Sequence, residues 1–196
     1  MKRLFDVLFS LFGLIILLPF FVIISLLIIT TSRGGVFYFQ KRVGLHGKEF
    51  NLFKFRTMKR DSDKKGLLTI GGKDPRITSV GYFLRKYKLD EFPQLINVLI
   101  GDMSFVGPRP EVRKYVDLYS EEQLKVLTVK PGITDNASIS YFNENEVLGK
   151  ATDPEKTYIE EIMPRKLELN LEYVKNNNVL SDIALILKTF SKIFKA

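Results

Sequence analysis

Asp90 and Glu91, inside RKYKLDEFPQL (residues 85–95), are the residues best placed to do chemistry. The two carboxylates stand between a basic cluster (Arg85, Lys86, Lys88) and Pro93, and a proline suits the first turn of a helix. The pair therefore lies at or just before a helix N-terminus, where backbone N–H groups attract anions, phosphates included. A carboxylate can attack phosphorus to form an aspartyl-phosphate-type intermediate. Its neighbour can help to hold Mg²⁺, which prefers one or two carboxylates plus phosphate oxygens, or can manage a proton. Adjacent acids at a helix start also occur as plain dipole complements on a solvated surface, so the pair alone leaves both readings open. The stretch Gly107-Pro108-Arg109-Pro110 adds an arginine held between two prolines. Such a guanidinium can clamp a phosphate through two parallel hydrogen bonds, or sit exposed on a rigid turn.

Composition narrows the chemistry. Cysteine is absent, which excludes disulfides and thiol catalysis. The single histidine, His46, argues against a histidine metal site or a Ser-His-Asp triad. Acid–base and nucleophilic work falls to carboxylates, lysine or tyrosine. The net charge of +8 favours anionic partners: nucleic acid, anionic lipid or a phosphorylated substrate. No nucleic-acid-binding motif accompanies the charge, and no nucleic-acid partner is expected.

The elements that must position these residues begin with an anchor. Residues 7–32 carry no charge, and a bilayer-crossing helix takes about 20 apolar residues. The run is too long for a signal peptide and no small-residue cleavage site follows it. Pro19 sits near its middle, where it removes a helical hydrogen bond and predicts a kink. Each half is then roughly 18 Å long, short of a hydrocarbon core of about 30 Å. Lys2 and Arg3 precede the run, and Arg33, Lys41 and Arg42 follow it. With both flanks basic, a re-entrant helix–break–helix and a kinked spanning helix remain the two alternatives.

Beyond the anchor, residues 36–44 and 49–58 predict a β-hairpin, with Gly47 in the turn and His46 exposed there. Lys54 and Arg56 alternate with Phe53 and Phe55 and share one strand face. The polar stretch 59–74 predicts a mobile loop. Asp74-Pro75 predicts the cap and first turn of a helix carrying Val80, Phe83, Leu84 and Tyr87, weakened by Gly81. A second helix follows from Pro93, and residues 101–111 read as a turn-rich break. Ser120 and Gln123 form a capping-box pattern, and Lys130-Pro131-Gly132 ends the helix it starts. Asp153-Pro154 predicts another helix, interrupted at Pro164. Residues 166–174 fit a helix or a strand. The tail, with Lys188, Lys192 and Lys195 among apolar residues, suits either a membrane interface or a core-packed helix.

The stretches FKFRTM, DPRITSVGYFLRKYKLDEFPQLINVLIGDMSFVGPRPE and VKPGIT occur in an order that resembles the bacterial sugar transferases known as monotopic phosphoglycosyl transferases. With the anchor, the resemblance covers nearly the whole chain. It implies transfer of a sugar 1-phosphate from a UDP-sugar to undecaprenyl phosphate, with release of UMP, as the first step of lipid-linked glycan assembly. It implies a Mg²⁺ requirement, Asp90 as the nucleophile that carries a covalent phosphosugar, and Glu91 beside it handling metal or proton. Asp90 and Glu91 are thus also the candidate metal ligands. Arg85, Arg109 and Arg56 match positions near the phosphates. The anchor matches a re-entrant helix broken at Pro19.

The expected architecture is α+β and mainly helical: residues 1–35 as a re-entrant membrane helix, and residues 36–196 as a catalytic domain with a small β-hairpin and interfacial amphipathic helices. The domain would sit on the cytoplasmic face of the bacterial inner membrane, in contact with membrane lipids. A non-catalytic membrane scaffold for glycan-pathway enzymes is the alternative from another class. Two departures from the family pattern stand out. Leu18 precedes Pro19 where many members have serine, and the alignment after KPGIT ends on Phe142 where many have arginine.

Overall fold

The computed structural model describes residues 2–62, 66, 68, 69 and 74–194. Helix α1 (Lys2–Thr31) is 30 residues long and stays helical through Pro19. By length and composition alone it could cross a membrane. Its inward stripe is narrow: Asp6, Ser10, Ile24 and Ile28 are buried, while most of its large apolar side chains are exposed. Both ends of α1 touch the rest of the protein. At the start, Lys2 Nζ donates to Val106 O (2.9 Å) and Tyr173 OH (2.7 Å) and pairs with Asp182 (2.7 Å). Arg3 donates to Val98 O and Leu99 O, and Asp6 Oδ1 accepts from Ser104 Oγ (3.0 Å) and Phe105 N (3.2 Å). Near the other end, Ile24 and Ile28 pack with Phe55 and Leu84. The basic flank at Lys2 and Arg3 is thus bound by protein groups.

Strands β1 (Phe37–Val43) and β2 (Glu49–Phe55) form the expected antiparallel hairpin, with Phe37 opposite Phe55 and Val43 opposite Glu49. The connection turns through left-handed His46 (φ 55) and Gly47 (φ 74), and His46 is exposed. Much of the loop expected over residues 59–74 lies outside the described residues.

Helix α2 (Ser79–Lys86) is capped by Thr78, whose side chain accepts from Gly81 N (2.9 Å), rather than by Asp74. The carboxylate of Asp74 is occupied by the backbone and guanidinium of Arg76. Gly81, an apparent weakness in the helix, is required by packing: a Cβ there would lie 2.1 Å from Thr57 O. Gly81→Ala is expected to lower stability by about 1–3 kcal/mol, because main chain cannot swing aside as a side-chain tip can. A melting curve matching the wild type would show that α2 lifts off Thr57 freely.

Helix α3 (Gln94–Ile100) is tied to β2 by Asn97, whose side chain accepts from Phe53 N (2.9 Å) and donates to Asn51 O (2.8 Å). Residues 101–111, expected as a break, contain strand β3 (Ser104–Val106). After the short helix α4 (Arg113–Val116) and the 3₁₀ run Gln123–Thr128, β3 pairs in parallel with β4 (Gly132–Thr134). The two strands meet backbone to backbone; a Cβ on Gly132 would sit 2.1 Å from Gly107 N. The Ser120–Gln123 box forms reciprocally, but it opens the 3₁₀ run and not an α-helix.

Helices α5 (Asn136–Ser140) and α6 (Glu144–Lys150) follow, then α7 (Pro154–Thr157), capped by Asp153 as expected. Pro164 does not interrupt the helical run. A π turn, Tyr158–Ile162, leads directly into α8 (Met163–Asn176), and Pro164 sits in the first turn of α8. A proline is tolerated at that position because its missing N–H has no obligatory partner there. Residues 166–174 are therefore helical. The main core joins Tyr115, Val126, Leu148, Tyr158, Met163 and Leu167. The last helix, α9 (Val179–Phe194), packs on the core as one of the two expectations for the tail has it. Leu185 packs with Val106 and Tyr173, while Leu180, Ile183, Leu187 and Phe190 are exposed on its outer side. The chain is thus mostly helical, with two small strand pairs and one long apolar helix at its N-terminus.

Candidate active site

Three segments converge. Lys88, left-handed at φ 56, turns the chain out of α2 into a 3₁₀ turn, Leu89–Glu91, that leads into α3. The acid pair therefore stands just before a helix, as the sequence predicts. From β2, Lys54 Nζ reaches Glu91 Oε1 (3.3 Å). From the loop after β3, Arg109 grips both Glu91 oxygens, Nη1 to Oε2 at 3.2 Å and Nη2 to Oε1 at 2.5 Å. Paired parallel bonds fix the guanidinium plane as well as its distance.

A second, partly buried ion pair holds the arginine loop. Arg42 Nη1 donates to Pro110 O (3.1 Å) and to Glu111 Oε1 (2.7 Å). Glu111 also accepts from its neighbour Val112 N (2.7 Å) and from Tyr158 OH (2.5 Å). The hairpin thereby braces both cations of the site, presenting Lys54 itself and fixing Arg109 through Arg42.

The two carboxylates differ in environment. Burial alone would raise Glu91, but Arg109 and Lys54 outweigh it and hold its carboxyl well below the usual carboxylate range. Asp90 is 7% exposed, and its pKa is raised, first by burial and then by the Glu91 charge. Its Oδ1 is buried without a hydrogen-bond partner, and so is Gln94 Nε2 four residues on. Glu91 is thus a neutralised structural anion, while Asp90 is a desolvated carboxylate not tied up by hydrogen bonds. Arg109 is raised above its ordinary value, chiefly by the Glu91 charge.

Burial depresses Lys54 to about 8. As pH rises through this value Lys54 loses its proton and Glu91 keeps only Arg109. Activity is expected to fall on an alkaline limb near pH 8, and Lys54→Arg, which stays charged, should move that limb upward in a pH–rate profile. Stability should move the other way. Between about 8 and 10.5 the unfolded chain binds more protons than the folded one, so stability rises with pH. An unmoved limb in Lys54→Arg would assign it to another group.

Of the residues singled out from the sequence, Asp90, Glu91 and Arg109 come together. Arg85 donates to Thr69 Oγ1 (2.8 Å), while its charge still lowers the pKa of Asp90. Arg56 goes elsewhere: it donates to Gly35 O (3.0 Å) and Phe37 O (3.1 Å), closing the entrance to the hairpin. The cation from that strand which meets the acids is Lys54. Its alternation with Arg56 was visible in the sequence, but the pattern could not say which of the two faced the acid pair.

No cluster of three or more acidic or histidine side chains suited to a metal occurs among the described residues. The unpartnered Asp90 oxygen fits a Mg²⁺ held by one carboxylate, with phosphate oxygens and water completing the shell. Glu91 could join it only by giving up a bond to Lys54 or Arg109.

Comparison with known proteins bears on this geometry. The family model described as "Bacterial sugar transferase" matches residues 1–196. The sugar transferase EpsL of Bacillus subtilis (strain 168) is 39% identical over 194 residues, covering 98% of this chain and 87% of that one. The UDP-N-acetylgalactosamine-undecaprenyl-phosphate N-acetylgalactosaminephosphotransferase of Aeromonas hydrophila is 35% identical over 195 residues, 98% of this chain and 43% of its own length. The UDP-glucose:undecaprenyl-phosphate glucose-1-phosphate transferase of Escherichia coli (strain K12) is 36% identical over 198 residues, 99% of this chain and 40% of its own. The chain thus spans less than half the length of the last two.

Proposed function

As a member of the bacterial sugar transferase family, the chain is a transferase, and we propose that it moves a sugar 1-phosphate from a UDP-sugar to undecaprenyl phosphate with release of UMP. The observation that carries the reading is Asp90: a buried carboxylate with an unpartnered oxygen, beside an acid already neutralised by Lys54 and Arg109. An Asp90 oxygen attacks the β-phosphorus of the donor, a P–O bond forms, and the bond to the bridging oxygen breaks, so that UMP leaves. The lipid phosphate then attacks the same phosphorus and the Asp90 carboxylate is returned. Lys54 and Arg109 supply the positive field in which charge moves along the phosphates, and positioning plus charge neutralisation carries most phosphoryl-transfer catalysis. Mg²⁺, held through Asp90 and phosphate oxygens, would neutralise the donor diphosphate.

The same reading places the protein at a membrane, with α1 entering and leaving on one side. A straight helix of 30 residues is about 45 Å long. If it spanned a bilayer, only one of its ends could reach a domain on one face. Here Lys2, Arg3 and Asp6 at one end and Ile24 and Ile28 near the other are all held by the same domain. This supports shallow, one-sided insertion over a crossing helix, with the catalytic residues on the cytoplasmic side where nucleotide sugars reside.

The test is nucleotide identity. Purified protein in nanodiscs with undecaprenyl phosphate, Mg²⁺ and a panel of UDP-sugars is expected to release UMP. Release of UDP would mean transfer of the sugar alone and would sink the phosphosugar mechanism.

A further inference from the structure

Phe142 draws two ammonium groups to one ring. Lys88 Nζ lies 5.3 Å and Lys192 Nζ 5.9 Å from its centroid. The two lysines are distant in sequence, one from the turn before Asp90 and one from the last turn of α9. Neither has a carboxylate partner among the described residues. The arrangement sits beside the acid pair, since Lys88 caps the turn Leu89–Glu91 that carries it. Two like charges gathered on a half-buried ring, neither closed off by a direct ion pair, form a site open to an incoming anion.

The surroundings say which anion belongs there. Tyr87 and Phe83 are exposed beside Lys88, and Leu187 and Phe190 are exposed before Lys192. Helix α1 packs against α2 through buried Ile24, Ile28 and Leu84, and leaves its Ile23, Leu26 and Leu27 exposed. A nucleotide sugar has no hydrocarbon to lay on such a border, whereas a phosphate monoester on a long hydrocarbon chain has both parts. We propose that Lys88 and Lys192, held by Phe142, form the binding site for the phosphate of the lipid acceptor, with the exposed sides of α2 and α9 taking the first part of its hydrocarbon chain.

The inference rests on the proposed function and refines its second half. The acceptor phosphate oxygen forms a bond to the sugar-bearing phosphorus as the bond from that phosphorus to Asp90 breaks, giving a diphosphate and a free carboxylate. Cations at Lys88 and Lys192 hold the incoming dianion within reach of a centre that is itself negative.

The experiment separates the halves of the reaction in Lys192→Met and Phe142→Leu, with Lys192→Arg as the conservative control. Without acceptor, a burst of about one UMP per protein reports the donor half; with acceptor, steady turnover reports both. The expected result is a KM for undecaprenyl phosphate raised about 10-fold in Lys192→Met and Phe142→Leu, near wild type in Lys192→Arg, with the UMP burst unchanged in all three. A burst that falls in step with turnover would assign the lysine to the donor and overturn the proposal. An unchanged acceptor KM would also overturn it. So would a defect seen only in sedimentation with anionic vesicles and absent in detergent, which would make the site a general headgroup contact. Wild-type protein that releases no UMP from any donor would instead remove the functional reading, and this proposal with it.

Discussion

Asp90→Asn releases no UMP above background, a loss expected to be on the order of 10³-fold or more, while the protein keeps its fold. The substitution is nearly isosteric and removes only the charge and the attacking oxygen. The folded state offers that charge little: Oδ1 has no hydrogen-bond partner, and burial raises the Asp90 pKa. A carboxyl whose folded pKa lies above its unfolded value is stabilised relative to the unfolded state by protonation, so a neutral side chain here should melt at the wild-type temperature or slightly above it. Loss of activity with retained stability separates a reacting group from a structural one. A variant that kept a tenth of wild-type UMP release would place the nucleophile elsewhere.

Arg109→Met should be the most destabilising single change in the site. It strands Glu91 in a buried position with Lys54 as its remaining partner, and breaking one side of a buried ion pair costs about 3 kcal/mol or more. For a chain of this size each kcal/mol moves the midpoint by roughly 2–4 °C, so a drop of about 6–12 °C is expected. Glu91→Gln in the same chain should recover part of that drop, because it removes the stranded charge. The recovery is the coupling energy of the pair, read from a double-mutant cycle by thermal melting. If the two losses simply add, the grip seen between Arg109 and Glu91 does no energetic work. Activity should not recover in the double variant, since the positive field at the phosphates stays diminished.

The parts of the fold that were legible before the structure are those whose cause is local. The hairpin was readable from alternating aromatic residues around Gly47. Asp153-Pro154 was readable because its cap and first-turn proline act within four residues. The long apolar helix and the position of Asp90-Glu91 just ahead of α3 were readable for the same reason. The parts that were not depend on partners distant in sequence. Strands β3 and β4 have three residues each, and each is held by the other 28 positions away, so neither carries an alternating pattern of its own. Asp74 had the right type to cap α2, but Arg76 took its carboxylate. Pro164 read as a breaker, but the π turn before it lets the helix restart there. The same limit applies to the site. The acid pair and Arg109 announced themselves in short motifs, whereas the choice of Lys54 over Arg56, on one strand face, depends on where along β2 the helix α3 docks. That is settled by Asn97, whose amide docks the helix on the strand.

The clamp on α1 also sets an order of events during synthesis. Lys2 and its partner Asp182 are 180 positions apart, and Asp6 waits about a hundred residues for Ser104. At roughly 5–20 residues per second, α1 (ending at Thr31) is finished some 8–30 s before its last partner, Asp182, leaves the ribosome. Arg3 and Asp6 meet their partners at Val98, Leu99 and Ser104 partway through that interval, while Lys2 waits to its end. The first element made is therefore the last one locked, and a ribosome that stalls before Asp182 leaves behind a chain whose α1 clamp is still open at Lys2.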